Sequence, residues 1–273
     1  MPNEFDQQVI EEFRANAGVV GAYGRLLLLT TTGARTGAPH TTPLGYLPDG
    51  DRTLVLASAG GSPRHPDGYR NVLAQPRVTV ETGVFTYDAD AVVLDGAERD
   101  RLFDRAVEAD PGWLAYQEKS GRTIPVVALH PVRYERGGGA WGDGLRTVHA
   151  AFRRELALVR AEVAAAGPRL GAQLRINCLT LCRGLEHHHR TEDDGMFPYL
   201  DAHRPDLADT VARLRAEHDT VHRLLDELRA TLADDTTEQP AVLAEVDRLV
   251  AEVTAHLDRE EAELVAVLNA AAP

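Results

Sequence analysis

Five histidines and two glutamates in the C-terminal half of the chain are spaced so that helices would carry them to one place. They are His149, His188 with Glu192, His218 with His222, and His256 with Glu260. Three of the four groups are i, i+4 pairs, which a helix sets on one face about one turn apart. Gly167-Pro168, His203-Arg204-Pro205 and the polar stretch from Ala233 to Pro240 mark the breaks between helical segments. The groups lie about 19 and 20 residues from the first break, about 14 on each side of the second, and about 14 and 16 around the third. At ~1.5 Å rise per residue, an up-down-up-down bundle brings all seven side chains to nearly one height. Chance placement of histidine does not do that.

Imidazole with carboxylate suits a first-row metal such as iron, and does not suit calcium or a thiolate zinc site. His188 is preferred to its neighbours because Leu181 and Leu185 lie on its face and because it pairs with a glutamate at i+4. His189 with Asp193 is the competing register; otherwise His187, His189 and His203 read as solvated or structural. Five imidazoles, two bridging glutamates and a bridging oxo or hydroxo group nearly fill two octahedral ions. One position stays open for dioxygen or another small ligand, with Leu181, Leu185 and Leu225 as its walls. The segment resembles the hemerythrin family, including its HHE cation-binding members. The resemblance rests on His149, the run His188-His189-Arg190-Thr191-Glu192-Asp193 followed by Phe197-Pro198, His218-x-x-x-His222, and His256-x-x-x-Glu260-Glu261. It implies a non-haem di-iron centre with two iron ions in a four-helix bundle. The roles it leaves open are dioxygen binding, sensing of oxygen or redox state, and iron holding.

A chain of 273 residues has room for two domains with a core each. The expected division is residues 1–135, a glycine-rich linker at 136–146, and residues 147–273. Net charge is −13, about −5 of it in the first 135 residues, which argues against a nucleic-acid partner. No run of 18 apolar residues exists and Met1-Pro2-Asn3-Glu4 does not open a signal peptide, so the expected compartment is the cytoplasm. Cys178 and Cys182 are one helical turn apart, a poor disulfide geometry, and read as small buried residues.

Upstream of the linker the pattern changes to short β-branched or apolar runs bounded by Gly, Pro and Asp. Strands are expected at 26–32, 53–58, 78–81, 86–94 and 124–129, and helices at 4–16 and 97–108. No β-Gly-loop-α fingerprint follows a strand, so a small antiparallel barrel with flanking helices fits better than a dinucleotide fold. The expected class is therefore α+β and multidomain, a split β-barrel followed by a four-helix bundle. Two loops, 30–44 and 58–71, gather hydroxyls, glycines, Arg and His. Such groups hold phosphates and carboxylates.

Residues 5–131 resemble the deazaflavin (F420)-dependent nitroreductase and quinone reductase family, which uses an FMN-binding-like split barrel. The stretches that carry this are Leu28-Leu29-Thr30-Thr31-Thr32-Gly33-x-x-Thr36-Gly37, Pro43-Leu44, Gly60-Gly61 with His65-Pro66, Tyr69, Asn71-x-Leu73-Ala74-x-Pro76, and Tyr116-Gln117 with Arg122-Thr123-Ile124-Pro125. The resemblance implies that Arg35, Thr36, His40, Ser58, Gly60, Gly61, Arg64, Tyr69 and Asn71 bind coenzyme F420. It implies that Ser58, Trp113 and Tyr116 face the substrate as catalytic positions. Three positions depart from the family pattern: Ala59 where Lys is usual, His40 where Arg is usual, and Gly68 where Trp is common. Arg64 or Arg70 are candidates to replace the lost lysine.

The expected protein is a fused oxidoreductase in which F420H2 passes hydride to a quinone, nitro compound or similar acceptor, with the cofactor supplying the chemistry. Its bundle binds or senses dioxygen or redox state. The rival reading is a non-enzymatic iron or dioxygen binder with a vestigial barrel. A homo-oligomer and contact with a membrane surface to reach quinone stay open, although the acidic face of the first helix makes it a weak anchor.

Overall fold

The computed structural model describes residues 4–21, 23–83, 85–134 and 140–271. Its contacts divide the chain into two compact units, residues 1–136 with 171–176, and residues 137–170 with 177–273.

The first unit is a closed antiparallel barrel of six strands, ordered β1-β2-β3-β6-β5-β4. They are β1 (Leu26–Thr32), β2 (Pro39–Asp49), β3 (Arg52–Leu56), β4 (Arg77–Glu81), β5 (Thr86–Val93) and β6 (Val126–Tyr134). Closure is made by β1 against β4, where Leu28, Leu29 and Thr30 face Glu81, Val80 and Thr79. Alternation is strict on β4 and β5, whose buried residues Val78, Val80, Tyr87, Ala89 and Ala91 fill the interior with Leu27, Leu29, Val127 and Leu129. On β1 both faces are covered: Leu26 and Leu28 pack outward on Val9, Ile10 and Phe13 of α1 (Glu4–Ala15). That is why β1 reads as a continuous leucine run instead of an alternating one. A second outer layer sets Leu102, Phe103 and Ala106 on α3 (Gly96–Ala109) against Leu54, Leu56, Val126 and Ala128. Each such leucine, valine or phenylalanine contributes about 1.5–3 kcal/mol on full burial.

Three elements depart from the sequence expectation. The loop expected at 30–44 is the end of β1, a turn at 33–38, and the start of β2. Pro39, Pro43 and Pro48 hide that strand, because proline lacks the N–H a ladder uses. The pairing is secured at Thr30 and Thr41, whose hydroxyls are 2.8 Å apart. The loop expected at 58–71 ends in helix α2 (Asp67–Ala74), and a further helix α4 (Gly112–Ser120) precedes β6. Both are too short to show a helical period, and α4 exposes Leu114 and Tyr116.

The second unit is four helical segments: α5 (Trp141–Ala165), α6 (Ala172–Thr191) running through a π-helical turn at Glu192–Met196 into α7 (Phe197–His203), α8 (Ala208–Ala233) and α9 (Gln239–Ala271). Pairing along α5 and α9 runs Arg153 to Glu261 (2.6 Å), Arg160 to Asp247 (2.7 Å) and Val163 O to Gln239 Nε2 (2.8 Å), so these two are antiparallel. Arg213–Glu263 and Arg248–Glu227 orient α8 against α9 in the same way. The breaks fall where the sequence places them. Leu145, Phe197, Leu200, Val211, Leu214, Leu264, Val265 and Leu268 form one end of the core.

The linker expected at 136–146 is shorter on its C-terminal side, since α5 already begins at Trp141; residues 135–139 lie outside the described residues. Gly142 is a packing glycine: a Cβ there would lie 2.6 Å from Asn269 Oδ1 and 2.9 Å from Val265 Cα of α9. Asp143 and Asn269 lock the same contact with a pair of hydrogen bonds, Asp143 N to Oδ1 (3.2 Å) and Nδ2 to Asp143 Oδ1 (3.1 Å). Among the described residues no helix is long and apolar enough to cross a membrane.

Candidate cofactor cradle and metal centre

On the barrel, the segment after β3 is held by one guanidinium. Arg122 Nη2 donates to the carbonyls of Ala57 and Ser58 (3.0 Å each), and Nε donates to Ser62 O (3.1 Å). Its Nη1 is 3.2 Å from His65 Nδ1, which must therefore accept. Burial first, then the neighbouring Arg122, push the His65 pKa down, in keeping with a neutral acceptor ring. Within this frame Ala59, Gly60 and Gly61 are all left-handed, at φ 50°, 60° and 77°. For Ala59 that conformation costs about 1–2 kcal/mol. Gly61 N and Ser62 N bond back to Ser58 O and Ala59 O (3.1 Å each), so neither bond engages the N–H of Ala59 or Gly60.

Asn71 on α2 ties this region to the turn after β1. Its Nδ2 donates to Thr31 Oγ1 (3.0 Å) and its Oδ1 accepts from Ala34 N (2.9 Å). The turn carries Arg35 and Thr36, both exposed, and Thr36 Oγ1 accepts from Ala38 N (3.3 Å). His40 is half-buried on β2, opposite Thr31. Tyr69 packs on His65 with ring centroids 4.8 Å apart, and Arg64 is exposed beside Ser62. Trp113 and Tyr116 on α4 meet edge to face at 6.1 Å, Tyr116 being 41% exposed. The stem of Lys119 on the same helix covers Gly61, and its Nζ donates to Gly60 O (3.0 Å). The result is an open shelf of strained backbone between two loops, with aromatic rings on the helix that overlies it.

In the helical unit, potential metal donors converge in two groups whose ligand atoms lie within 4.8 Å of one another: His189, Glu192, His218 and His256, and His149, His188, Glu192 and Glu260. Glu192 belongs to both, with Oε1 3.3 Å from His188 Nε2 and Oε2 3.5 Å from His218 Nε2. Glu260 Oε2 lies between His149 Nε2 (3.3 Å) and His256 Nε2 (3.7 Å). Both oxygens of Glu192 and of Glu260 are buried without a hydrogen-bond partner, as are His149 Nε2, His188 Nε2 and both ring nitrogens of His189. Leaving such groups unsatisfied costs about 1–3 kcal/mol each, so a cation that all of them ligate is the natural completion. The donor set fits a pair of first-row metal ions.

The surroundings orient these donors. His149 Nδ1 is 3.0 Å from Glu261 Oε1, His218 Nδ1 is 3.0 Å from Asp193 Oδ1, and His256 Nδ1 is 2.9 Å from Glu217 Oε2. Each carboxylate fixes the proton on Nδ1 and aims the Nε2 lone pair inward. Glu261 and Glu217 are in turn held by Arg153 (2.6 Å) and Arg259 (2.8 Å). Burial, then neighbouring histidines, lower the pKa of His188 to about 3 and depress those of His189 and His218 strongly. Burial, then Glu260, raises Glu192 well above the carboxylate range.

The profile of the family described as F420H(2)-dependent quinone reductase matches residues 6–131, and that of the hemerythrin HHE cation binding domain matches residues 143–268. An F420H(2)-dependent quinone reductase of Mycobacterium tuberculosis is 41% identical over 106 residues, 38% of this chain and 71% of that relative. The chain belongs to the F420H(2)-dependent quinone reductase family. A further Mycobacterium tuberculosis relative is 34% identical over 105 residues, 38% of this chain and 88% of its own length. A solved F420-H2 dependent reductase is 38% identical and covers 41% of this chain and 100% of its own, with a TM-score of 0.37. A structure described as a domain-swapped dimer is 37% identical over 45% of this chain and 93% of its own, with a TM-score of 0.38.

In the barrel the residues expected at the cofactor lie on neighbouring segments: Ser58, Gly60, Gly61 and Arg64 on the glycine loop, Tyr69 and Asn71 on α2, and Arg35, Thr36 and His40 around the first turn. Arg122 and Lys119, which contact the glycine loop, are not among the expected site residues, although Arg122 stands in a stretch that carries the resemblance. In the hemerythrin domain six of the seven expected ligands converge. His222 stays outside both donor groups, with its ring 5.9 Å from that of His189 and its Nε2 buried without a partner. His189, expected on the solvated face, is fully buried and stacks on His218 at 4.3 Å. Glu192 is i+4 from His188 and i+3 from His189, so both can flank it on one helical face. His187 and His203 are exposed, as expected.

Proposed function

We propose that the barrel is an F420H2-dependent oxidoreductase acting on a quinone or similar two-electron acceptor, and that the helical half holds two iron ions and binds or senses dioxygen or redox state. Family membership supports the first part. The second is carried by one observation, the two converging groups of buried donors that share Glu192. When bound, reduced F420 would supply a hydride, and paired iron would supply one-electron chemistry.

The rest falls to the chain. Arg122 holds the glycine loop in shape, so that the N–H groups of Ala59 and Gly60 are presented ready-made to an anionic or carbonyl group. Asn71 fixes the neighbouring turn and with it Arg35 and Thr36. Ser58, Trp113 and Tyr116 orient the acceptor and exclude water from one side of it. In the helical half His189, Glu192, His218 and His256 would hold one ion, and His149, His188, Glu192 and Glu260 the other. Glu217, Asp193 and Glu261 keep the inward nitrogens free of protons.

Purified protein should contain about two iron ions per chain and should oxidise F420H2 on addition of a soluble naphthoquinone, read as recovery of deazaflavin absorbance. Oxidation without quinone dependence would overturn the acceptor class. Full F420H2 turnover with no iron uptake under anaerobic reconstitution would overturn the metal centre alone.

A further inference from the structure

We propose that Lys119 is the electrostatic anchor for the anionic arm of the deazaflavin cofactor. This rests on the cofactor reading above. Lys119 is the only lysine in the chain; every other basic side chain apart from histidine is arginine. In a sequence that meets its need for cations with arginine everywhere else, one retained ammonium marks a position that suits a compact point charge better than a planar fork.

Its placement says which charge. The Lys119 stem lies over Gly61, where an added Cβ would be 2.8 Å from Cδ and 3.3 Å from Cβ and Cγ, so only glycine admits it. The Nζ meets Gly60 O at 3.0 Å, its one polar contact among the described residues. An ammonium has three donors, so two remain for a ligand. Of the other cations nearby, Arg122 is spent on three carbonyls and His65, Arg70 pairs with Asp67 at 3.3 Å, and Arg64 lies exposed on the loop beyond Ser62. Lys119 is also i+3 from Tyr116, on the side of α4 that carries the acceptor-facing ring. The charge is thus fixed beside the strained Ala59-Gly60-Gly61 backbone, whose N–H groups favour an anion in the same place.

F420 offers two kinds of anion, the phosphodiester and the carboxylates of its glutamate tail. The test is fluorescence titration of the full chain and of Lys119→Gln and Lys119→Arg with three deazaflavins: F420, its phospholactyl form without glutamates, and the neutral riboside. Lys119→Gln should weaken F420 by roughly tenfold to a hundredfold. It should leave the riboside unchanged, and Lys119→Arg should recover most of the loss. A loss that persists with the phospholactyl form assigns the contact to the phospholactyl group, and a loss confined to F420 assigns it to the glutamate tail. Because Lys119 is unique, its labelling by an amine-reactive ester, followed by peptide mass spectrometry, should be slowed by F420 and not by the riboside. Tight F420 binding by wild type and Lys119→Gln alike, or equal losses for F420 and riboside, would overturn the inference and leave the cofactor reading standing. Wild type that binds none of the three would overturn both.

Discussion

His189 and His222 compete for one place, and the geometry favours His189. The i, i+4 rule makes His218 and His222 equal candidates, because both lie on one face of α8. Only the packing separates them. His189 fills the space between His218 and His222, with ring centroids 4.3 and 5.9 Å away, and both of its nitrogens are buried without partners. A triple-histidine run gives no such signal in sequence, since i+3 and i+4 neighbours of Glu192 are equally well placed on a helix. His189→Ala should therefore lose about half of the bound iron or more, whereas His222→Ala should keep nearly all of it. Metal analysis of both variants after identical reconstitution checks this, and the reverse order would restore His222 as the ligand. Cys178 and Cys182 were legible. Both are free and buried, and burial raises the Cys182 thiol to about 11, which leaves it little thiolate character.

At the level of elements, legibility followed period. Strands β4 and β5 alternate, and the helices of the second unit carry long 3.6-residue stripes ended by Gly, Pro or Asp, so their existence and breaks could be read directly. Strand β2 could not, because its three prolines argue for a loop, and α2 and α4 are shorter than the window that reveals a helix. The π-helical turn at Glu192–Met196 leaves no mark in composition at all. Glycine misled at 142–144, where a flexible linker was expected and the first turn of α5 is found. Two substitutions in that turn separate these readings. Gly142→Ala sets a methyl against Val265 and Asn269 and should destabilise the second unit by about 1–3 kcal/mol. Gly144→Ala meets nothing within 4 Å and should stabilise by about 0.5–1 kcal/mol through helix propensity. Urea denaturation followed by circular dichroism measures both, and two neutral substitutions would return this segment to the linker.

For the whole molecule, the buried donors tie stability to pH and to metal together. His188, His189 and His218 have folded pKa values below the ordinary 6.5 of an unfolded chain. Between those limits the unfolded chain binds more protons, so their contribution is present above pH 6.5 and is lost as pH falls from there toward about 3, the value for His188. Glu192 has the opposite sign. Its pKa is raised in the folded state, so its contribution is present below the unfolded value and is lost as pH rises through the folded one. Asp193, raised by burial, adds to the same side. The three histidines outnumber these two carboxylates, and each proton is worth about 1.4 kcal/mol per pH unit at full slope. Metal-free protein should therefore be most stable near pH 6.5, with a steep decline on the acid side and a shallow one on the alkaline side. Iron changes the two limbs differently. A bound cation neutralises ionised Glu192 and should abolish the alkaline decline, whereas protons still compete with metal for the imidazoles, so the acid limb should persist and coincide with metal release. Urea midpoints from pH 4 to 9, with and without iron, give both curves. An alkaline limb that is flat in metal-free protein would mean that Glu192 is already paired there, and the charge deficit that calls for metal at this position would be gone.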